Sequence, residues 1–251
     1  MENNFDFKLI KPNESLADFV ESFWMLHNQS DSDKEVIVLP DGRVDLFFAQ
    51  SATEPFHVTL SGIETHADKA ILSAHTRMFA VSFKLLAIEY IIDQPVSDLV
   101  NYAKHLPADF WDFNPTDLQD FDLFCEKASQ KIQSLQPKEI DSRKQKLFDL
   151  IYSSNGAMTV KELSEKVAWS SRQINRYFNQ QFGISLKAYC NILRFRASFD
   201  HIKEGKLFPE QNFTDQSHFI KEVKKLSGVL PKDLKQNQND RFIQFSTLDP
   251  K

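Results

Sequence analysis

Residues 159–183 read TVKELSEKVAWSSRQINRYFNQQFG, and this stretch decides the fold of the second half of the chain. Thr159 and Glu162 have the spacing of a capping box, in which hydroxyl and carboxylate each satisfy one orphan N–H of a helix start. Ser170 and Gln173 repeat the device eleven residues later, so a second helix begins almost where the first must stop. Val160, Leu163 and Val167 give the first helix one apolar stripe, and Ile174, Tyr177, Phe178 and Phe182 give the second another. The outward residues of the second helix, Ser171, Arg172, Asn175, Arg176 and Asn179, offer positive charge and hydrogen bonds with no carboxylate. Two short helices with a polar, cationic second member describe a helix-turn-helix, a unit that lays its second helix in the major groove of DNA. A helical hairpin buried in a core fits the same apolar pattern.

Charge separates this region from the rest. Residues 1–141 carry 11 Lys and Arg against 24 Asp and Glu, a net −13, while residues 142–251 carry 19 against 11, a net +8. An acidic half joined to a basic half points to a polyanion partner for the second half alone. Cys125 and Cys190 are too few for a disulfide framework or a zinc site and fit a reducing compartment as small buried residues. No basic, apolar leader opens the sequence and no apolar run reaches the length of a membrane span, so the expected location is cytoplasmic, with no membrane partner.

Upstream, residues 35–49 hold two β-branched or aromatic runs joined by Asp41-Gly42, a hairpin signal, with Pro40 at a strand end. Residues 56–60 and 77–85 read as further strands, with Val81 and Phe83 on one side and Ser82 and Lys84 on the other. Leu16, Phe19, Val20, Phe23 and Trp24 recur at helical spacing, which predicts a short helix over 14–26. Short helices are also expected over 86–92 and 96–105, and a longer one over 116–135 carries the stripe Leu118, Phe121, Cys125, Ala128, Ile132. That stripe is a candidate dimerisation face or a face packed on its own domain. Residues 136–142 hold the Pro and the change of charge sign, so the domains are expected at 1–135 and 143–251 with this linker between them.

Within the second half, a helix is expected over 143–153, capped by Asp141 or Ser142, and Gly183 stands where a left-handed residue would end the second helix of the motif. A helix over 185–204 has two opposite apolar stripes, one of Leu186, Tyr189, Cys190, Leu193 and Ala197, the other of Ile192, Phe195, Phe199 and Ile202. A helix apolar on both sides must be covered on both, which makes it a connector. Thr214 or Asp215 starts a further helix with Phe219, Val223 and Leu226 inward, ended by Gly228 and Pro231.

The segments LSEKVAWSSRQINRYFNQQFGISLKAY, LRFRASFDHIKEG and NFTDQSHFIKEVKKLSGVLPKDL together resemble the C-terminal DNA-binding domain of the AraC/XylS family of bacterial transcription regulators. The likeness covers about residues 142–235. It implies two helix-turn-helix units joined by a linker helix, each placing one recognition helix in the major groove of double-stranded DNA. Base-facing positions then fall on Ser171, Arg172, Asn175 and Arg176 in the first unit and on Gln216, Ser217, His218 and Lys221 in the second. Lys161, Lys166, Lys187, Lys203 and Lys224 are candidate phosphate contacts. Three positions depart from the family pattern. Ala168 replaces the usual turn glycine, the spacer from Gly205 to Phe213 is too short for the usual first helix of the second unit, and Leu234 replaces an aromatic. The fragment VLPDGRVDLFF, Gly62 and the VSFK strand resemble the β-barrel sensor domains that precede such units, although Leu85, Leu86 and Ala87 replace the Pro and Gly seen there.

The fold expected is thus an α+β N-terminal domain, a small cupin-like β-barrel with helices, followed by an all-α helix-turn-helix domain. The function expected is sequence-specific transcription regulation modulated by a small-molecule effector, with RNA polymerase and a second copy of the chain as further candidate partners. The alternative is a ligand-binding or protein-interaction module whose shortened second unit no longer binds DNA specifically. His57, His66 and His75 recur every nine residues, yet without a tight pair such as H-x-H to fix two ligands. Asp41, Asp45 and Glu64 are candidates for paired carboxylates, but scattered acids in a region of net −13 are expected to be mostly solvated surface, and no nucleophile or phosphate-loop motif is present. No enzyme activity, cofactor or metal is expected.

Overall fold

The computed structural model describes residues 5–206, 215–237 and 241–244. Among the described residues the N-terminal part has eight strands: β1 (Phe5–Ile10), β2 (Val20–Asn28), β3 (Lys34–Val38), β4 (Val44–Gln50), β5 (His57–Ser61), β6 (Asp68–Leu72), β7 (Arg77–Phe83) and β8 (Ala103–Leu106). Six of them form an antiparallel sheet in the order β1-β2-β7-β4-β5-β8, and β3 pairs with β6 in a separate ribbon. Helix α1 (Leu86–Tyr90) follows β7, and α2 (Phe121–Leu135) closes this part. The central strands are apolar on both faces because both are covered. Phe79 meets Phe121 at 5.1 Å and Phe124 at 5.3 Å on the α2 side, while Trp24, Phe47 and Met78 face the ribbon.

That double coverage explains two differences from the sequence expectation. Residues 14–26 are a single 3-10 turn at Glu14–Leu16 followed by β2, not a helix. Phe23 points to the α2 face and Trp24 to the ribbon, so their apolar run fits a strand buried on both sides as well as it fits a helix. A register shift between Val20 and Ser22 disturbs the alternation further. The hairpin expected at Asp41-Gly42 is also absent, since β3 pairs with β6 and β4 pairs with β5 and β7. The turn instead carries the chain from the ribbon to the main sheet. Gly42 has φ +80°, and a Cβ there would lie 3.0 Å from Leu193 and 3.1 Å from Tyr189.

Residues 96–105 likewise differ, forming one 3-10 turn at Ser97–Leu99 and then the edge strand β8. Asn101, with φ 60°, breaks the helical course, and its carboxamide oxygen accepts from Thr65 N–H at 2.7 Å. The 116–135 helix starts later, at Phe121, with Asp120 as its N-cap after a separate 3-10 turn. Its stripe of Leu118, Phe121, Cys125, Ala128 and Ile132 is buried on the chain's own sheet. The stripe is core, and the dimerisation face considered for it is not available.

The helical part contains α3 (Ser142–Ser153), α4 (Val160–Val167), α5 (Ser171–Phe182), α6 (Leu186–Ala197), α7 (Phe199–Lys203), α8 (Gln216–Ser227) and α9 (Pro231–Gln236). The connector expected over 185–204 is two helices, broken at Ser198. The Ser198 hydroxyl donates to Phe195 O, competing with the helical backbone pattern at the break. Both apolar stripes are covered as expected: Leu186 and Tyr189 are buried on one side, Ile192, Phe195, Phe199 and Ile202 on the other. The 205–213 spacer lies largely outside the described residues.

One continuous core joins the β and helical parts. Across their contact, Tyr189 OH donates to Gly42 O at 3.0 Å, Leu85 N–H donates to Tyr152 OH at 2.9 Å, and Val96 N–H donates to Gln181 O at 2.8 Å. Arg196 on α6 is paired with Glu21 on β2 and donates to Asp41 O at 3.2 Å. Burial alone would raise the Glu21 carboxyl, but the Arg196 and Arg43 charges hold it at about 2.

Candidate nucleic-acid interface and effector cavity

The α4–turn–α5 unit is closed by the two capping boxes read from the sequence. Thr159 N–H donates to Glu162 Oε2 at 2.7 Å and Glu162 N–H returns to Thr159 Oγ1 at 3.2 Å. Ser170 N–H donates to Gln173 Oε1 at 3.1 Å and Gln173 N–H to Ser170 Oγ at 3.3 Å. Each start is worth on the order of 1 kcal/mol. Ala168 adopts φ 51°, ψ 42°, a left-handed conformation that a glycine would take without strain. Gly183 takes the same region at the end of α5. Trp169, in the turn, packs on Tyr177 at 5.4 Å and lies 5.5 Å from the Arg143 guanidinium.

Ile174, Tyr177, Phe178 and Phe182 are buried against α3 and α6, where Phe148 and Tyr189 complete an aromatic cluster. That burial turns Arg172 and Arg176 outward, and both are exposed. Among the described residues neither guanidinium is held in an ion pair. Ser171 is half-buried, and its carbonyl accepts the Asn175 side-chain amide at 3.0 Å. Asn179 repeats this bond onto Asn175 O at 2.8 Å. One Asn175 amide hydrogen is therefore used within the helix, leaving the other and the carboxamide oxygen for further contacts.

On α8 the N-cap is Asp215, whose carboxylate accepts His218 N–H at 2.8 Å. Gln216, Ser217 and Lys221 are exposed and His218 is half-buried. Asn191 on α6 donates to Glu222 at 3.3 Å, tying α8 to the connector. Of the candidate phosphate contacts, Lys161, Lys166, Lys187 and Lys224 are exposed and Lys203 is half-buried. Lys161 lies 4.0 Å from Glu165. The histidines considered as metal ligands are engaged separately, His57 with Pro55 O, His66 with Ala67 O and His75 with Asp31.

A cavity that sequence reasoning missed lies between the main sheet and the β3–β6 ribbon, with a volume of about 190 Å³. Its walls are Phe7, Trp24, Leu26, Val36, Phe47 and Met78 among others, and Arg43 and Asp45 stand at its polar end. Arg43 is held by Asp41 at 2.5 Å. The Asp45 carboxylate accepts from Ser82 Oγ, whose oxygen in turn accepts Trp24 Nε1–H at 3.0 Å. Burial, partly offset by Arg43, pushes the Asp45 carboxyl up to about 6. Asp41 and Asp45, expected as solvated surface, instead gather round the buried Arg43 guanidinium at this polar end. A wider cleft of about 570 Å³ lies at the contact of the two parts, lined by Lys11, Glu21, Lys84, Tyr152, Arg196 and His201 among others.

A family model described as a domain of unknown function (DUF6597) matches residues 8–105, the span from β1 to β8. Comparison with curated proteins gives no match. Among solved structures, the chain is similar to ToxT from Vibrio cholerae, at 11% identity over 92% of this chain and 97% of that chain, with a TM-score of 0.47. A ToxT structure from strain SCE256 with bound unsaturated fatty acid is 12% identical over 96% of this chain and 99% of that chain, with a TM-score of 0.41. No helix among the described residues is long and apolar enough to cross a membrane.

Proposed function

We propose that this chain is a sequence-specific DNA-binding transcription regulator of the AraC/XylS type, with residues 143–251 as the DNA-binding domain and residues 1–135 as an effector domain. The observation that carries the reading is the doubly capped α4–α5 pair with Arg172 and Arg176 exposed on the outer face of α5. Buried aromatics fix that helix from behind, so its cationic face is presented rigidly, as recognition in a major groove requires. Arg172, Arg176 and Lys221 supply contacts to guanine edges or phosphates, and Gln216, Ser217, His218 and the Asn175 oxygen address further base edges. The net charge of +8 over residues 142–251 supplies the electrostatic part of the affinity. The cavity at Asp45 is the effector site of this reading, and in the turn that leads to Arg43 the carbonyls of Asp41 and Gly42 accept from Arg196 and Tyr189 of α6.

Selection of the purified chain on a random duplex library at two salt concentrations, followed by sequencing, tests the proposal. Enrichment of a site with two reading patches about one helical turn apart is expected. A single short patch would restrict base reading to α5. Salt-sensitive binding without enrichment, or no binding, would overturn the assignment.

A further inference from the structure

The apolar cavity is walled on one side by a piece of the helical half. Ile37 N–H on β3 donates to Arg241 O at 2.5 Å, and Ile37 and Phe242 form a parallel bridge. Leu39 N–H donates to the Gln244 side chain at 2.7 Å. Residues 241–244 thus lie along the β3 edge that β6 does not occupy. Phe242 is fully buried, and its N–H donates to Asn237 Oδ1 at 2.9 Å, which ties the segment back to the end of α9. Ile243 packs on the Leu26, Val36 and Leu72 cluster, and Ile243 and Gln244 both line the cavity.

The cavity itself limits what it can hold. An engineered apolar cavity of about 150 Å³ in another protein stays dry and takes one benzene. A volume of about 190 Å³ therefore fits one ring with a short side chain. Asp41 takes the Nε and one Nη2 donor of Arg43, and beside them the Asp45 carboxylate offers a guest an acceptor. The guest that matches is a single-ring or similarly small apolar molecule with one hydrogen-bond donor, a hydroxyl or an amine.

We propose that Arg241–Gln244 is a latch on this cavity, and that a small apolar molecule with one donor group, bound beside Ile243, holds the latch closed and fixes the helical half on the sheet. The proposal rests on the reading of the N-terminal part as an effector domain. A guest in contact with Ile243 binds the latched state more tightly than the open one, so occupancy shifts the chain towards the latched state.

The test is hydrogen exchange of the full chain at the amides of Ile37 and Leu39, with and without saturating 2-phenylethylamine or 2-phenylethanol, with calorimetry to establish binding. Exchange at both amides is expected to slow at least threefold when either probe binds. Gln244→Ala is expected to speed exchange without probe and to weaken probe binding, while the overall unfolding transition stays cooperative. Probe binding with unchanged exchange would overturn the latch and leave the effector reading standing. Failure of both probes to bind would overturn the ligand class and with it the proposal, independently of the DNA selection.

Discussion

Arg172 and Arg176 stand one helical turn apart on α5 and face away from the aromatic cluster. A bidentate arginine contact to guanine discriminates against a wrong base by about 1–3 kcal/mol. Arg176→Ala is therefore expected to weaken binding to the selected site by that amount and to relax preference at one position, read by repeating the selection with the variant. Lys187→Ala is expected instead to weaken binding to all duplexes alike and to lower the salt slope by about 1. Equal losses on all sequences for Arg176→Ala would make it a phosphate contact. The Glu21–Arg196 pair acts at the same scale but in the interior. Glu21→Gln leaves a buried guanidinium uncompensated and should destabilise the chain by about 3 kcal/mol, measured from the denaturant midpoint. Because the folded-state Glu21 carboxyl sits at about 2 against an ordinary 4.5, its contribution is complete above 4.5 and lost as pH falls towards 2. The variant should therefore lose less stability than the natural chain across that interval.

At the level of elements, the turn between α4 and α5 holds Ala168 in a left-handed conformation. That conformation strains any residue with a Cβ by roughly 1 kcal/mol or more. Ala168→Gly should raise the thermal midpoint by the equivalent of about 0.5–1 kcal/mol, and Ala168→Val should lower it; a destabilising glycine would mean the turn is not strained. Elements whose ends are written in local chemistry were legible: Thr159, Glu162, Ser170, Gln173, Gly183 and Gly228 mark the helices they bound. Elements defined by distant partners were not. The run at Phe19–Trp24 has one pattern whether it winds as a helix or lies as a strand between α2 and the ribbon. The Asp41-Gly42 pair signals a turn but says nothing of whether its flanking strands pair with each other. Arg172 and Arg176 could be read because one helix carries both. The cavity could not, because Trp24, Asp45, Met78 and Ile243 meet only in the folded chain.

Across the whole molecule, an acidic sheet domain and a basic helical half share one core, with Gly42, Glu21 and Asp41 of the first gripping Tyr189 and Arg196 of the second. Under the effector reading, a guest beside Arg43 and Asp45 acts next to the turn through which the sheet grips α6. The charge split makes a further demand, since only residues 142–251 have the sign to attract DNA. The most direct measurement is a fluorescence-anisotropy titration of the full chain against the selected duplex and a shuffled duplex across a salt series. Affinity should fall steeply with salt for both duplexes, and the selected one should stay at least about tenfold tighter throughout. Equal affinity for the two duplexes at every salt concentration would contradict the account.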